Sequence, residues 1–179
     1  KLGATDFGYR VAKQFGHSIT ELRPALDGFV FTAKEKQIFS DLAGISLEVC
    51  LIMSQRSFTE NILFTHVGIS GPAALKGALF WSAEDTVTID FLPHTPNFFE
   101  WIEEKRKTDA KKRVTTVLSS ILTPRFVDCI VHACDVGNKK VADLSKLQME
   151  RLEEMLKRFS FIPKSTVGYE KAEVTCGGV

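Results

Sequence analysis

Hydrophobic and polar residues alternate through much of the first half of the chain and take up a helical rhythm in the second. Asp6 to Phe15 places Phe7, Val11, Ala12 and Phe15 on one helical face, and Gly16 supplies a natural stop. Strands are expected at His17 to Leu22, at Gly28 to Thr32 and at Ile45 to Met53, where ISLEVCLIM alternates as a half-buried strand should. Ser54 to Ser57 reads as a turn. Phe58 and Ile62 to Thr65 then lead into the joint FTHVGISGPAAL and a short helix from about Pro72 to Phe80. Thr86 to Leu92 alternates again as a strand. From Thr95 to Phe159 four helical patterns follow, with N-cap hydroxyls expected at Thr95 and Thr123, each before a proline, and at Thr108 before Val114, Val117, Leu118, Ile121 and Leu122. Ser145 and Gln148 have capping-box spacing, Leu144 and Met149 are placed as a hydrophobic staple, and Met149, Leu152, Leu156 and Phe159 form a stripe. Strand character returns at Phe161, Ile162 and Val167 and at Ala172 to Cys176. The expected class is α+β, a β-barrel-like or sandwich subdomain interrupted by a small helical bundle that leaves after Leu92 and hands the chain back near Ser160.

Composition narrows the function classes. The 179 residues are 44% hydrophobic, enough for one ordinary core or two small ones, and 23 Lys and Arg against 22 Asp and Glu leave a formal charge of +1. No global field draws such a chain to nucleic acid or to an anionic membrane. Its apolar runs fall far short of the ~20 residues that span a bilayer, and no export leader opens it. Cys50, Cys129, Cys134 and Cys176 form no CxxC pair, as expected of buried thiols in a reducing, cytoplasmic setting. Both ends read as cuts within something larger, since Lys1 to Asp6 run straight into a helix and Glu173 to Val179 stop within a strand-to-turn passage.

Signals for self-contained chemistry are sparse. Gly68 to Gly71 is only GxxG, there is no P-loop and no GxSxG, and His17, His66, His94 and His132 match no metal pattern. The joint is the best candidate. Gly68 and Gly71 allow positive φ or close approach, Pro72 starts a helix, and the N–H groups of Ala73 and Ala74 are expected to point outward with its positive end. Thr65, His66 and Ser70 add exchangeable protons there. The plainer reading has Ser70 capping the helix and His66 bonded to a backbone carbonyl. A second candidate is EEKRKTDAKKR, Glu103 to Arg113, six bases against three acids, which suits either phosphate contacts or a solvated helix face laced with ion pairs. Phe98, Phe99 and Trp101 beside it have core spacing.

Three stretches together, LGATDFGYRVAKQFGHSITELRPAL, ILFTHVGISGPAAL and GYEKAEVTCGGV, resemble the middle part of bacterial FAD-dependent flavoproteins labelled NAD(FAD)-utilising dehydrogenases or aminoacetone-oxidase-like proteins. DFLP and VADLS fit as well, so the resemblance covers essentially the whole chain. FTHxGISGP and AEVTxGGV are fairly specific in combination, whereas Thr5-Asp6-Phe7-Gly8-Tyr9 departs from the family's TGDGY and leaves Asp6 without an assigned flavin role. The resemblance implies an FAD-binding domain built from the parent chain outside this segment. It divides these residues into a border helix (1–16), a β-rich substrate-side subdomain (17–92 with 160–179) and an inserted helical subdomain (93–159). It also implies that Gly3, Ala4, Thr5, Thr175, Gly177 and Gly178 approach the cofactor, and that Thr65, His66, Gly68, Ser70 and Gly71 wall the isoalloxazine and substrate, with Thr65, His66 and Ser70 nearest the chemistry. The function implied is that of a cover over the flavin in an oxidoreductase for a small molecule, with FAD in the parent protein, the redox partner left open among NADH, NADPH and oxygen, and no activity in this segment alone. The alternative is a module docking RNA through Lys105, Arg106, Lys111 and Lys112, or docking a protein; a third is a scaffold or dimerisation element.

Overall fold

A computed structural model describes residues 5–54 and 56–179 and gives the following order. The first half contains α1 (Phe7–Gln14), β1 (Arg23–Ala25), β2 (Phe29–Val30), α2 (Ala33–Phe39), β3 (Ser46–Met53), β4 (Arg56–Phe64), β5 (Gly68–Ser70), α3 (Pro72–Ala78) and β6 (Val87–Asp90). The second contains α4 (Phe98–Thr108), α5 (Val114–Leu118), α6 (Pro124–Ala133), α7 (Lys146–Lys157), β7 (Phe159–Phe161), β8 (Ser165–Thr166) and β9 (Val174–Cys176). The class is α+β. Seven strands form one antiparallel sheet in the order β7-β6-β3-β4-β5-β2-β8, while β1 and β9 pair as a separate ribbon.

The sheet curls into a barrel-like form, and its connectivity shows why. The outermost strands, β7 and β8, are separated in sequence by only Ile162, Pro163 and Lys164, which span about 10 Å even when extended. The two edges must therefore lie near one another. Lys164 N donates to Val30 O at 2.9 Å, and the Phe31 and Phe161 rings meet edge to face at 5.3 Å. Phenylalanines fill the space enclosed: Phe39 lies 5.3 Å from Phe64 and 5.0 Å from Phe159, and Phe91 lies 4.8 Å from Phe126 of α6. One continuous apolar cluster thus runs from the sheet into the helices. A polar clamp reinforces that junction. Lys157 pairs with Asp90 at 2.7 Å and donates to Leu92 O and Thr95 O, while Phe91 N donates to Leu156 O.

Several expectations change in detail. Residues 17–22 are not a strand; Thr20 alone pairs with Gly178, and regular pairing starts at Arg23, where β9 becomes available. The predicted turn at 54–57 is tighter, with Ser54 at φ 50° and β4 already under way at Arg56. Asn97 rather than Thr95 caps α4, because its side-chain oxygen reaches Glu100 N at 3.1 Å. Thr108 ends α4 instead of starting the next helix, donating to Glu104 O. The following helix, α5, is shorter than the apolar pattern suggested, and Ile121 and Leu122 lie beyond it. Thr123 occupies the N-cap position of α6 without a side-chain cap bond. The Ser145–Gln148 capping box is present, and Met149, Leu152 and Leu156 are buried, with Phe159 contributed from β7. Helix α2 was not expected, although Thr32 and Glu35 close a capping box that the sequence carries.

Candidate functional site

The joint after β4 is a tight hairpin rather than a strand running straight into a helix. β4 ends at Phe64, the chain turns through Thr65 to Val67, β5 pairs back on β4 through Ser70↔Leu63, and Gly71 leads into α3. Thr65 holds this turn. Its hydroxyl accepts from Gly68 N at 3.1 Å and from Val67 N at 3.3 Å, and its own N–H donates to Gly68 O at 2.8 Å. Both glycines answer to packing within the protein. A Cβ at Gly68 would stand 2.0 Å from Phe29 O, and Gly71, at φ 88°, would bring one to 2.8 Å from Leu63 N.

Two details of the joint differ from expectation. Gly71, not Ser70, is the N-cap of α3, and no side chain caps that helix. Ala73 and Ala74 are fully buried, so their N–H groups are closed to solvent and offer nothing to an anion outside. What remains open to solvent is the His66 imidazole and, half-buried beside it, the Ser70 hydroxyl.

These groups line a cleft of about 490 Å³ together with segments remote in sequence. One wall is the joint, with Leu63, Val67, Ile69 and Leu75 supplying apolar surface. The other consists of Asp27 and Gly28 with Val167, Lys171 and Glu173. Asp27 ties this second wall together. It is 0% exposed, its Oδ1 accepts from Gly28 N at 2.8 Å, and its Oδ2 accepts from Gly168 N, 141 residues away. Val167 N to Gly28 O and Glu173 N to Leu26 O complete the seam. Sequence reasoning missed Asp27; the Asp-Gly pair in ALDGF was the available signal. A second cleft of about 500 Å³, around Arg56, Phe80 and Asp85, shares no residue with this one.

The border residues assemble next to the second wall. β9 continues directly from Glu173, and Thr175 pairs with Pro24. Thr20 and Gly178 exchange hydrogen bonds of 2.8 to 3.0 Å, and Gly177 packs so closely that a Cβ would meet Glu21 O at 2.0 Å. Thr5 Oγ1 accepts from Phe7 N at 3.3 Å; Gly3 and Ala4 lie outside the described residues. Helix α1 buries none of its residues; Phe7 is 64% exposed, and Phe15, its C-cap, 76%.

In the basic cluster, three of the four named cations are engaged internally. Lys105 pairs with Asp109 and lies 5.8 Å over the Trp101 ring, Arg106 pairs with Glu103 at 2.6 Å, and Lys112 pairs with Asp109 at 2.8 Å. The Lys112 ammonium holds the Asp109 carboxyl below its ordinary range. Phe98 is fully buried and Phe99 and Trp101 pack on the core. The four cysteines are free thiols, with Cys134 buried and the other three half-buried. Burial pushes Cys129 and Cys134 up to about 11. Among the described residues no cluster of metal-binding side chains occurs, and no helix is long and apolar enough to cross a membrane.

A family profile described as the HI0933-like protein barrel and H2TH domain matches residues 23–174. The chain is 36% identical over 179 residues to a protein of Haemophilus influenzae named ribosomal RNA dihydrouridine synthase, covering 99% of this chain and 44% of that one. It is 30% identical over 179 residues to the Escherichia coli K12 protein of the same name, again covering 99% and 44%. To the 3-dehydro-bile acid delta(4,6)-reductase of Clostridium scindens it is 25% identical over 195 residues, covering 99% and 46%. The chain thus spans less than half the length of these relatives. The matches support the flavoprotein family that the sequence resembles, and not its aminoacetone-oxidase-like branch.

Proposed function

The chain belongs to the family of HI0933-like barrel and H2TH domains, and on that premise we propose that it is the substrate-side part of a flavin-dependent reductase acting on uracil bases in RNA. The observation that carries this reading is the identity of 36% and 30%, along 99% of the chain, to two proteins named ribosomal RNA dihydrouridine synthase. In this reading the larger protein holds FAD in a domain outside this chain, and a cytoplasmic location follows from the RNA substrate. The β-rich residues 17–92 and 160–179 cover the flavin, residues 93–159 form an appended helical block, and the border segment docks on the flavin domain through α1, with Phe7 exposed at its start and Phe15 just past its end.

The described residues suit one part of a flavin and not the other. The cleft sets apolar Leu63, Ile69, Leu75 and Val167 beside His66 and Ser70, whose side chains make no hydrogen bond among the described residues. That mixture suits the edge of a planar heteroaromatic ring or base. The diphosphate of FAD needs converging N–H donors or cations. Here Ala73 and Ala74, which carry the first N–H groups of α3, are buried, and among the described residues Lys171, the lysine lining the cleft, shares it with Asp27 and Glu173. The ring-facing contacts are therefore assigned to this chain and the diphosphate to the rest of the protein.

When bound, the flavin would supply the hydride for one carbon of the base's C5–C6 double bond, with NADH or NADPH as its reductant. The chain's own residues orient and protonate. Thr65 fixes the turn, Gly68 and Gly71 let it lie close to the barrel, and the Asp27 seam holds the opposite wall at a set distance. His66, exposed at the mouth, is the proton donor to the neighbouring carbon, with Ser70 positioning the base. Thr175, Gly177 and Gly178, with Thr5, form the rim toward the flavin domain.

The full-length protein should be yellow as purified and this chain colourless. Given reduced nicotinamide and unmodified ribosomal RNA, the full-length protein should add the mass of two hydrogens to uridine, read by nucleoside mass spectrometry. His66→Ala should slow that reaction about a hundredfold or more with flavin content unchanged. Flavin without any RNA reduction would turn the reading to its second form, a small-molecule reductase, which the apolar cleft and the relative named as a bile acid reductase favour.

A further inference from the structure

The basic loop after α4 does not stand alone. An isolated antiparallel bridge pairs Arg113 with Lys140, flanked by Val114 N to Lys139 O at 3.0 Å and Val141 N to Lys112 O at 2.9 Å. This pattern makes Arg113 and Lys140 a non-hydrogen-bonded pair, the kind in which opposed side chains lie closest, with Cα atoms about 4.5 Å apart. Their side chains share one face of the bridge. Like charges directly opposed in this way are unfavourable in isolation. Lys111 precedes the bridge and Lys139 adjoins it, and all four side chains are exposed.

The surrounding acids leave this ridge positive. Asp109 is taken up by Lys105 and Lys112, and Asp143, in the next turn, makes no ion pair with the ridge. Among the described residues Lys139 bonds only a neutral amide oxygen, that of Gln148. Lys111, Arg113 and Lys140 have no carboxylate partner among the described residues. Two basic loops, 27 positions apart at the bridge, are thus held in register by backbone hydrogen bonds at an electrostatic cost that an anion lying across both would reverse.

We propose that this bridged ridge, Lys111, Arg113, Lys139 and Lys140, is the surface on which the protein seats the phosphate backbone of its RNA substrate. It differs from the helix face named by sequence alone, since Lys105, Arg106 and Lys112 are occupied within the molecule. The inference rests on the RNA reading above. Phosphate contacts of this kind fix position without reading bases, leaving base selection to the cleft.

The test uses the full-length protein and an unmodified ribosomal RNA hairpin, with binding measured by fluorescence anisotropy across a KCl series. Lys111→Ala/Arg113→Ala/Lys140→Ala should weaken binding about tenfold or more near physiological salt and lower the slope of log K against log[salt] by about 2 to 3. The charge-keeping variant Lys111→Arg/Arg113→Lys/Lys140→Arg should retain the slope. Neutralising Lys34, Lys36 and Lys164, exposed lysines of the barrel side, should leave it nearly unchanged. RNA binding with equal slopes in the ridge and barrel-side variants would overturn the ridge while leaving the RNA reading intact. Failure of the unaltered protein both to bind and to reduce RNA would overturn the RNA reading itself.

Discussion

Replacing Asp27 probes the seam that gives the cleft its second wall. The carboxylate is completely buried and accepts from two backbone donors, Gly28 N at 2.8 Å and Gly168 N. Hydrogen bonds to a charged acceptor contribute about 1.5 to 3 kcal/mol each, and removing the acceptor leaves buried donors unpaired. Because Gly168 is only half-buried, the lower end of that range applies on its side, and Asp27→Ala should cost about 3 kcal/mol. Asp27→Asn keeps one acceptor oxygen and turns an amide donor toward the other N–H, so a cost of about half that is expected. Urea unfolding followed by Trp81 and Trp101 fluorescence reads both barrel and helical block; the midpoint should fall in the order wild type, Asn, Ala with the slope m unchanged. Hydrogen exchange should speed most at Gly168 and at Val167, whose N–H donates to Gly28 O. If Asp27→Ala costs less than about 0.5 kcal/mol, as an ordinary surface change would, the carboxylate does not hold the seam.

Gly68→Ala drives a Cβ to 2.0 Å from Phe29 O and should cost about 3 kcal/mol or more, whereas Gly8→Ala, in α1 with nothing within 4 Å, should be neutral or gain about 0.5 to 1 kcal/mol; similar melting points for the two would contradict the packing described. Lys157→Met leaves Asp90 unpaired at a junction where the two side chains are 11% and 17% exposed, and urea titration should show a loss of about 3 kcal/mol; a change within experimental scatter would remove the clamp from the account. Cys129 and Cys134 are held near 11 in the folded chain against 9.0 when exposed, so the stability tied to their neutral thiols is intact below pH 9 and is lost as pH rises toward 11. The alkaline fall in urea midpoint should shrink in Cys129→Ala/Cys134→Ala relative to wild type; an identical fall would show that these thiols do not contribute.

Local signals in the chain were legible where one element decides its own conformation. The alternation of Ser46–Met53 and the Ser145–Gln148 box both appear where the pattern places them. Thr32 and Glu35 carried an equally good signal for α2, masked by the strand-like residues before it. Thr95 and Asn97 compete for one helix start, and only geometry shows that the Asn97 oxygen reaches the free N–H. At the site, FTHVGISGP was readable as a special joint, and its Thr65, His66 and Ser70 do share a cleft. The opposite wall was not readable. It exists because Gly168 donates to Asp27 across 141 residues and because β9 returns to β1, pairings that no local pattern encodes. The same holds for the Arg113–Lys140 bridge, whose charges look in sequence like two unrelated solvated loops.

A structure of the full-length protein with its flavin bound tests the central claim most directly. The account predicts the isoalloxazine ring against the Thr65–Ser70 turn, with His66 facing it across the cleft and α1, with Phe7 and Phe15, buried on the flavin domain. A ring seated elsewhere, with this cleft open to solvent on the far side of the molecule, would contradict it.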